Sequence, residues 1–98
     1  EHAVTTELAD GMACRVPDDA ALDIIVRGAA RVLAVTDAEV AAAMRLYFSA
    51  THSVAEGAGA APLAAALQER EMNRGRKVAL VLSGGNVDRD LFARVLAA

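Results

Sequence analysis

An uninterrupted apolar run at residues 78–82 stops abruptly at the sequence Ser-Gly-Gly-Asn. A short run rich in valine and leucine predicts a strand that is buried on both faces, as in a parallel sheet covered by helices. Ser83 would then lie at the carboxyl end of a strand, which is where open α/β sheets bind ligands. The alternative is a plain turn between two elements, because serine, glycine and asparagine dominate turns.

Local patterns predict the elements that surround this run. Asp18 and Asp19 are N-cap candidates for a helix that ends near Gly28. A second apolar run at residues 32–35 predicts another short strand. It leads into Thr36 and Glu39, whose spacing is that of a capping box at the start of a further helix.

The second half of the chain continues the alternation of helices and strands. An Ala-rich helix is predicted to run to about Met72, with Gly75 as a suitable residue to end it. A final helix is predicted over residues 87–97. The order of elements indicates an α/β fold with helices packed on a mostly parallel sheet, although two strands are too few for a stable sheet. The predicted core-facing residues are Leu22, Ile25, Val26, Ala29, Val40, Ala43, Met44, Tyr47, Leu91, Phe92 and Val95.

Size and composition exclude several classes of function. A chain of 98 residues forms at most one small domain with a thin core. A net charge of −3 and a 3% aromatic content argue against a nucleic-acid partner. No apolar run approaches the roughly 20 residues needed to span a bilayer, so we expect a cytoplasmic protein without a membrane partner. The single cysteine, Cys14, is interpreted as a half-buried small hydrophobic residue in preference to a reactive thiol.

The common catalytic and metal-binding motifs are missing from the sequence. His2 and His52 are far apart and neither has cysteines or acids at ligand spacing, so no metal site is predicted. There is no nucleophile elbow or phosphate loop, and residues 57–59 lack the third glycine of a dinucleotide loop. Glu56 stands among small residues, either as a solvated or helix-capping acid or as a carboxylate close to a ligand.

Four motifs in order resemble one enzyme family, the pyridoxal-phosphate threonine/serine dehydratases, which include serine racemase. The motifs are ADG at residues 9–11, VTDAE at 35–39 followed by AMRL at 43–46, EGAGAA at 56–61 and LSGGNVD at 82–88. The resemblance implies that residues 1–98 are the carboxyl-terminal part of a tryptophan-synthase-β-like (fold type II) catalytic domain. Gly57 stands where many members have proline, and we expect this change to tune the loop without removing the site.

The resemblance also implies roles for five residues around a pyridoxal 5′-phosphate cofactor. Ser83 would hydrogen-bond the pyridine nitrogen, and Gly84 would keep a Cβ atom away from the cofactor. Gly11 would lie with its backbone against the ring. Glu56 would line the active site and organise polar groups or water. Asn86 would be an amide that stabilises the loop.

The family's lysine that forms the Schiff base, and its glycine-rich phosphate loop, match nothing in this chain. Lys77 is the only lysine and begins a predicted strand, which makes it a poor candidate. The expected partners are therefore the remainder of a catalytic chain, a small amino-acid substrate and further copies in a homo-oligomer. No carboxyl-terminal regulatory domain is visible between Asp88 and Ala98, and we therefore expect a catabolic or unregulated member.

The expected reaction is β-elimination of L-threonine or L-serine to a 2-oxo acid and ammonia. A serine racemase or a hydroxyaspartate dehydratase is the alternative within the family. A non-catalytic interaction module is the alternative outside it: the missing lysine favours that module, whereas the Ser-Gly-Gly-Asn and Glu56 loops favour an enzyme.

Overall fold

Helices are the only regular elements in residues 3–98, which are the residues that the computed structural model describes. His2, for which no metal-binding role is predicted, lies outside them. Cys14, predicted to be half-buried, is exposed. A 3-10 turn at Asp10–Met12 precedes four α-helices. These are α1 (Asp19–Gly28), α2 (Asp37–Thr51), α3 (Gly57–Gln68) and α4 (Arg89–Ala97).

The predicted α/β fold with a parallel sheet is wrong. Neither apolar run, at residues 32–35 or 78–82, forms a strand. Both runs line a groove of about 450 Å³ against α3, and no backbone hydrogen bond joins them within residues 3–98. A strand requires such a ladder, and without it Val32 and Val81 remain 80% and 74% exposed.

The core lies between α2 and α3, with α4 packed against α2. Its fully buried members are small except for Val40 and Met44 of α2, and the alanines of α3 allow the two helices to pack closely. The predicted α2 stripe is confirmed, with Tyr47 partly buried against the core. The buried residues of this core cluster are Val40, Ala43, Met44, Ala55, Ala60, Ala61, Ala64 and Val95.

Polar contacts fix the ends of the helices. The Asp18 carboxylate accepts from the Ala21 N–H, and Thr36 and Glu39 form both bonds of the predicted capping box. Helix α4 starts at Arg89, two residues later than expected. No helix among residues 3–98 is long and apolar enough to cross a bilayer.

Asp37 ties the amino-terminal segment to the start of α2. Its Oδ1 accepts from the Thr6 hydroxyl at 2.5 Å, and its Oδ2 accepts from the Glu7 N–H at 2.8 Å. The Thr6 hydroxyl also accepts from the Ala9 N–H at 2.9 Å. The hydrogen bond from Thr6, followed by that from Glu7, lowers the pKa of Asp37, because hydrogen bonds to the charged form favour it.

This lowered pKa predicts a loss of stability in acid. The folded protein binds a proton at Asp37 less readily than the unfolded chain, so the contribution is complete above the ordinary pKa of about 4 and disappears as the pH falls through the lowered value. We expect the urea midpoint to be flat from pH 7 to about 5 and to fall below that.

Two substitutions test the assignment of this acid transition to Asp37. Asp37→Asn should lower the midpoint at pH 7 and make its fall in acid shallower. Asp90→Asn, at an exposed carboxylate in the first turn of α4, should keep the steep fall. Equal acid profiles for the two variants would contradict the role of Asp37. Part of the fall should persist in Asp37→Asn, because hydrogen bonds also lower the pKa of Glu39 and Glu69.

Candidate functional site

Glu56 builds the first turn of α3. It occupies the N-cap position, where its Oε2 accepts from the Ala58 N–H at 2.8 Å and its Oε1 from the Gly59 N–H at 2.6 Å. The N–H groups of a helix N-terminus lack partners within the helix and give it a partial positive charge, which suits a carboxylate side chain at this position. The helix-capping interpretation of Glu56 is confirmed, and its position close to a ligand stays a prediction.

The Ser-Gly-Gly loop lies on this first turn. The Glu56 N–H donates to the carbonyl oxygen of Gly84 at 3.0 Å. A Cβ atom on Gly59 would lie 2.6 Å from that same oxygen, and one on Gly85 would lie 2.3 Å from the carbonyl oxygen of Val54. Glycine is therefore required at both positions for the backbones to approach this closely.

The segment that carries Gly11 meets the same turn from another side. A Cβ on Gly11 would lie 3.1 Å from the Ala58 Cβ and 3.8 Å from the Glu56 Oε2. A Cβ on Gly57 would lie only 1.9 Å from the carbonyl oxygen of Leu8. We call the meeting point of Gly11, residues 56–59 and Gly84 the glycine junction.

A cavity of about 250 Å³ adjoins the glycine junction. Glu56 and Asn86 both line it, so the structure brings these two predicted site residues to one space. Ser83 is exposed and its hydroxyl has no hydrogen-bond partner within the described part of the chain. The other residues that line the cavity are Glu7, Leu8, Asp10, Gly57, Val87, Asp88 and Leu91.

The structure thus brings some of the predicted site residues together but not all of them. Gly11, Glu56 and Gly84 meet in the glycine junction, and Asn86 reaches the adjoining cavity. Ser83 precedes Gly84 in the chain and is an exposed residue. Their proposed roles towards a cofactor stay predictions.

Two features of the junction were missed by the sequence reasoning. These are the packing of Gly59 against Gly84 and the contact between Gly57 and the Leu8 carbonyl. A signal was present, because two glycines in the first turn of a helix lower its intrinsic stability and so point to close packing. Within residues 3–98 no group of three or more His, Cys, Asp or Glu side chains could hold a metal ion.

Comparison with known families supports the resemblance drawn from the motifs. A family model described as "Pyridoxal-phosphate dependent enzyme" matches residues 1–84. The chain belongs to this family. The match includes every residue of the glycine junction, together with Ser83.

Individual members of this family carry more specific names. The chain is 37% identical over 89 residues to an L-threonine ammonia-lyase of Thermotoga maritima, covering 91% of the chain and 22% of that relative. It is 41% identical over 85 residues to an L-threonine ammonia-lyase of Geobacter sulfurreducens, covering 87% and 21%.

A third relative is the L-threonine dehydratase catabolic TdcB of Staphylococcus aureus. It is 33% identical over 91 residues, covering 90% of the chain and 26% of the relative. The chain therefore spans about a quarter or less of the length of each of these relatives.

Proposed function

We propose that the chain is part of the catalytic domain of a pyridoxal-phosphate-dependent threonine/serine dehydratase, which converts L-threonine or L-serine to a 2-oxo acid and ammonia. The relatives named L-threonine ammonia-lyase or dehydratase support L-threonine as the substrate. From the resemblance we further propose that the enzyme is a cytoplasmic homo-oligomer and that the remainder of its catalytic domain supplies the cofactor-bound lysine.

The glycine junction is the observation that carries this proposal. Two motifs that are distant in sequence, ADG at residues 9–11 and LSGGNVD at 82–88, meet the first turn of α3, which the EGAGAA motif forms, and Ser83 is exposed beside Gly84. A neutral hydroxyl next to backbone without side chains fits the flat pyridine end of the cofactor, because it can donate one hydrogen bond without a Cβ obstructing the ring. Ser83, Gly84 and Gly11 are therefore the residues that we propose hold this end.

Bound pyridoxal phosphate withdraws electrons from the substrate Cα, which makes the α-proton acidic. The role of Ser83 is to keep this withdrawal moderate. A hydroxyl does not hold the ring nitrogen in its protonated form, as an aspartate would. Negative charge on Cα is then stabilised weakly, which favours rapid departure of the β-hydroxyl over proton return at another carbon.

Ser83→Asp tests this role directly in the holoenzyme. We expect it to raise the ratio of transamination to elimination with L-threonine, because the carboxylate would hold the ring nitrogen protonated. A tenfold change in this ratio corresponds to about 1.4 kcal/mol between the two barriers. The measurement is 2-oxo acid and ammonia release against the amount of pyridoxamine phosphate formed.

Ser49→Asp provides the matched control, since Ser49 is exposed on α2 and is not one of the residues of the glycine junction. It should leave the product ratio at the wild-type value. An unchanged ratio in Ser83→Asp would contradict the proposed contact with the ring nitrogen. Absence of ammonia release from L-threonine and L-serine by the wild-type holoenzyme would overturn the proposed function.

A further inference from the structure

The two carboxylate oxygens of Glu56 are each engaged with a different residue of the glycine junction. Oε2 holds the N–H of Ala58, whose Cβ faces Gly11. Oε1 holds the N–H of Gly59, whose Cα faces the carbonyl of Gly84. Each oxygen therefore fixes the residue that contacts one of the two segments proposed to hold the cofactor.

The main chain of Glu56 adds a direct connection to the loop. Its N–H donates to the Gly84 carbonyl at 3.0 Å, so one hydrogen bond joins Glu56 to the loop and two join its carboxylate to the first turn of α3. Glutamate is not among the preferred N-cap residues, which are serine, threonine, aspartate and asparagine. Charge-assisted bonds to two N–H groups compensate, because they are stronger than neutral ones.

We propose that Glu56 is a positioning residue, which sets the separation of the Gly11 segment from the Ser83–Gly84 loop through the first turn of α3 and does not exchange a proton with the substrate. The identity of the ligand between these segments rests on the proposed function. The positioning itself rests only on the hydrogen bonds and close contacts of the glycine junction.

Amide hydrogen exchange, followed by NMR on the wild-type protein and three variants, tests the positioning. In Glu56→Gln only one side-chain oxygen remains to accept, and we expect exchange at residues 56, 58 and 59 to quicken about fivefold or more. The amide of residue 56 decides the matter, because its bond runs to Gly84 and not into α3. A cap without a positioning role would leave that amide at its wild-type rate.

Two matched variants complete the exchange experiment. Glu56→Asp keeps a carboxylate of a preferred N-cap type, and we expect wild-type protection at residue 56. Glu71→Gln removes the same charge from an exposed side chain outside the junction, and should change none of these amides. Wild-type exchange at residue 56 in Glu56→Gln would overturn the proposal.

The holoenzyme separates positioning from proton transfer. With pyridoxal phosphate as the probe, positioning predicts weaker cofactor binding in Glu56→Gln, near-wild-type binding in Glu56→Asp and an unchanged pH profile of kcat. If both variants instead bound the cofactor normally and lost kcat, Glu56 would be an acid or base and the proposal would fail. No cofactor binding by the wild type would overturn the proposed function, and the exchange rates would then decide the positioning.

Discussion

Gly57→Pro is expected to destabilise the protein, although proline is favoured at this position of a helix. Gly57 is the first residue of α3, where a missing N–H costs nothing and the fixed φ of proline suits the helix. A Cβ there would lie 1.9 Å from the carbonyl oxygen of Leu8 and 2.9 Å from the Ala9 nitrogen. Both are backbone atoms, so the segment before the 3-10 turn must move.

The two effects differ in size. Proline in place of glycine stabilises by about 0.4–1 kcal/mol where the conformation is compatible, whereas forcing atoms into a packed site costs about 1–3 kcal/mol and occasionally more. We therefore expect Gly57→Pro to lower the free energy of unfolding by about 2 kcal/mol. Gly57→Ala should lower it similarly, because its Cβ meets the same carbonyl. Urea unfolding followed by circular dichroism measures both.

Gly28→Ala is the control for the glycine substitutions. It lies at the end of α1 with no atom within 4 Å of the added Cβ, so it should be neutral or stabilise by up to about 1 kcal/mol. A higher urea midpoint in Gly57→Pro would mean that the Leu8 carbonyl moves aside easily. Glycine in place of the proline of many family members would then only adjust the loop and leave the site intact, as the sequence predicts.

Features determined by neighbouring residues could be predicted from the sequence. The Thr36–Glu39 capping box and the Asp18 cap each need only a polar side chain three residues from an amide. The α2 stripe follows from helical spacing alone. Such features form within one or two turns, so distant parts of the chain do not alter them.

The failed prediction of strands has the opposite cause. An apolar run indicates a strand only if another segment supplies its hydrogen bonds, and residues 78–82 carry no information about such a partner. The same limit applies to α1, where the prediction of a core-facing stripe is wrong, because Leu22, Ile25 and Val26 are 41%, 48% and 72% exposed. An apolar pattern identifies side chains that burial would stabilise, whereas their actual burial depends on long-range packing.

The candidate site falls between these cases. The resemblance placed Gly11, Glu56 and Gly84 in one site, and the structure brings their backbones together. The physical means, close packing of Gly57 and Gly59 against distant carbonyls, could not be derived from spacing. Contacts between residues about 25–50 positions apart depend on how α3 is placed on α2.

Met44→Ala is the second substitution from which we expect a large effect. Met44 is fully buried in α2 and is the largest side chain with that degree of burial among residues 3–98. Shortening this side chain removes apolar contacts and leaves a cavity. Changes of a buried methionine to alanine lower the free energy of unfolding by about 2–5 kcal/mol for these two reasons. Small domains have about 5–15 kcal/mol in total, so much of the stability should disappear.

The neighbouring Leu46→Ala separates this core effect from a change in helix propensity. Leu46 lies on the same helix but is 42% exposed, and substitutions at such surface positions stay within about 0.5 kcal/mol when no special feature is lost. Met44→Leu, which roughly conserves volume, should cost less than about 1.5 kcal/mol. Equal urea midpoints for Met44→Ala and Leu46→Ala would contradict a core centred on α2 and α3.

Helix α3 also carries the glycine junction, so Met44→Ala, by loosening the packing of α3 on α2, should additionally quicken hydrogen exchange at the Gly59 amide. This expectation connects the stability of the thin core to the geometry of the proposed site.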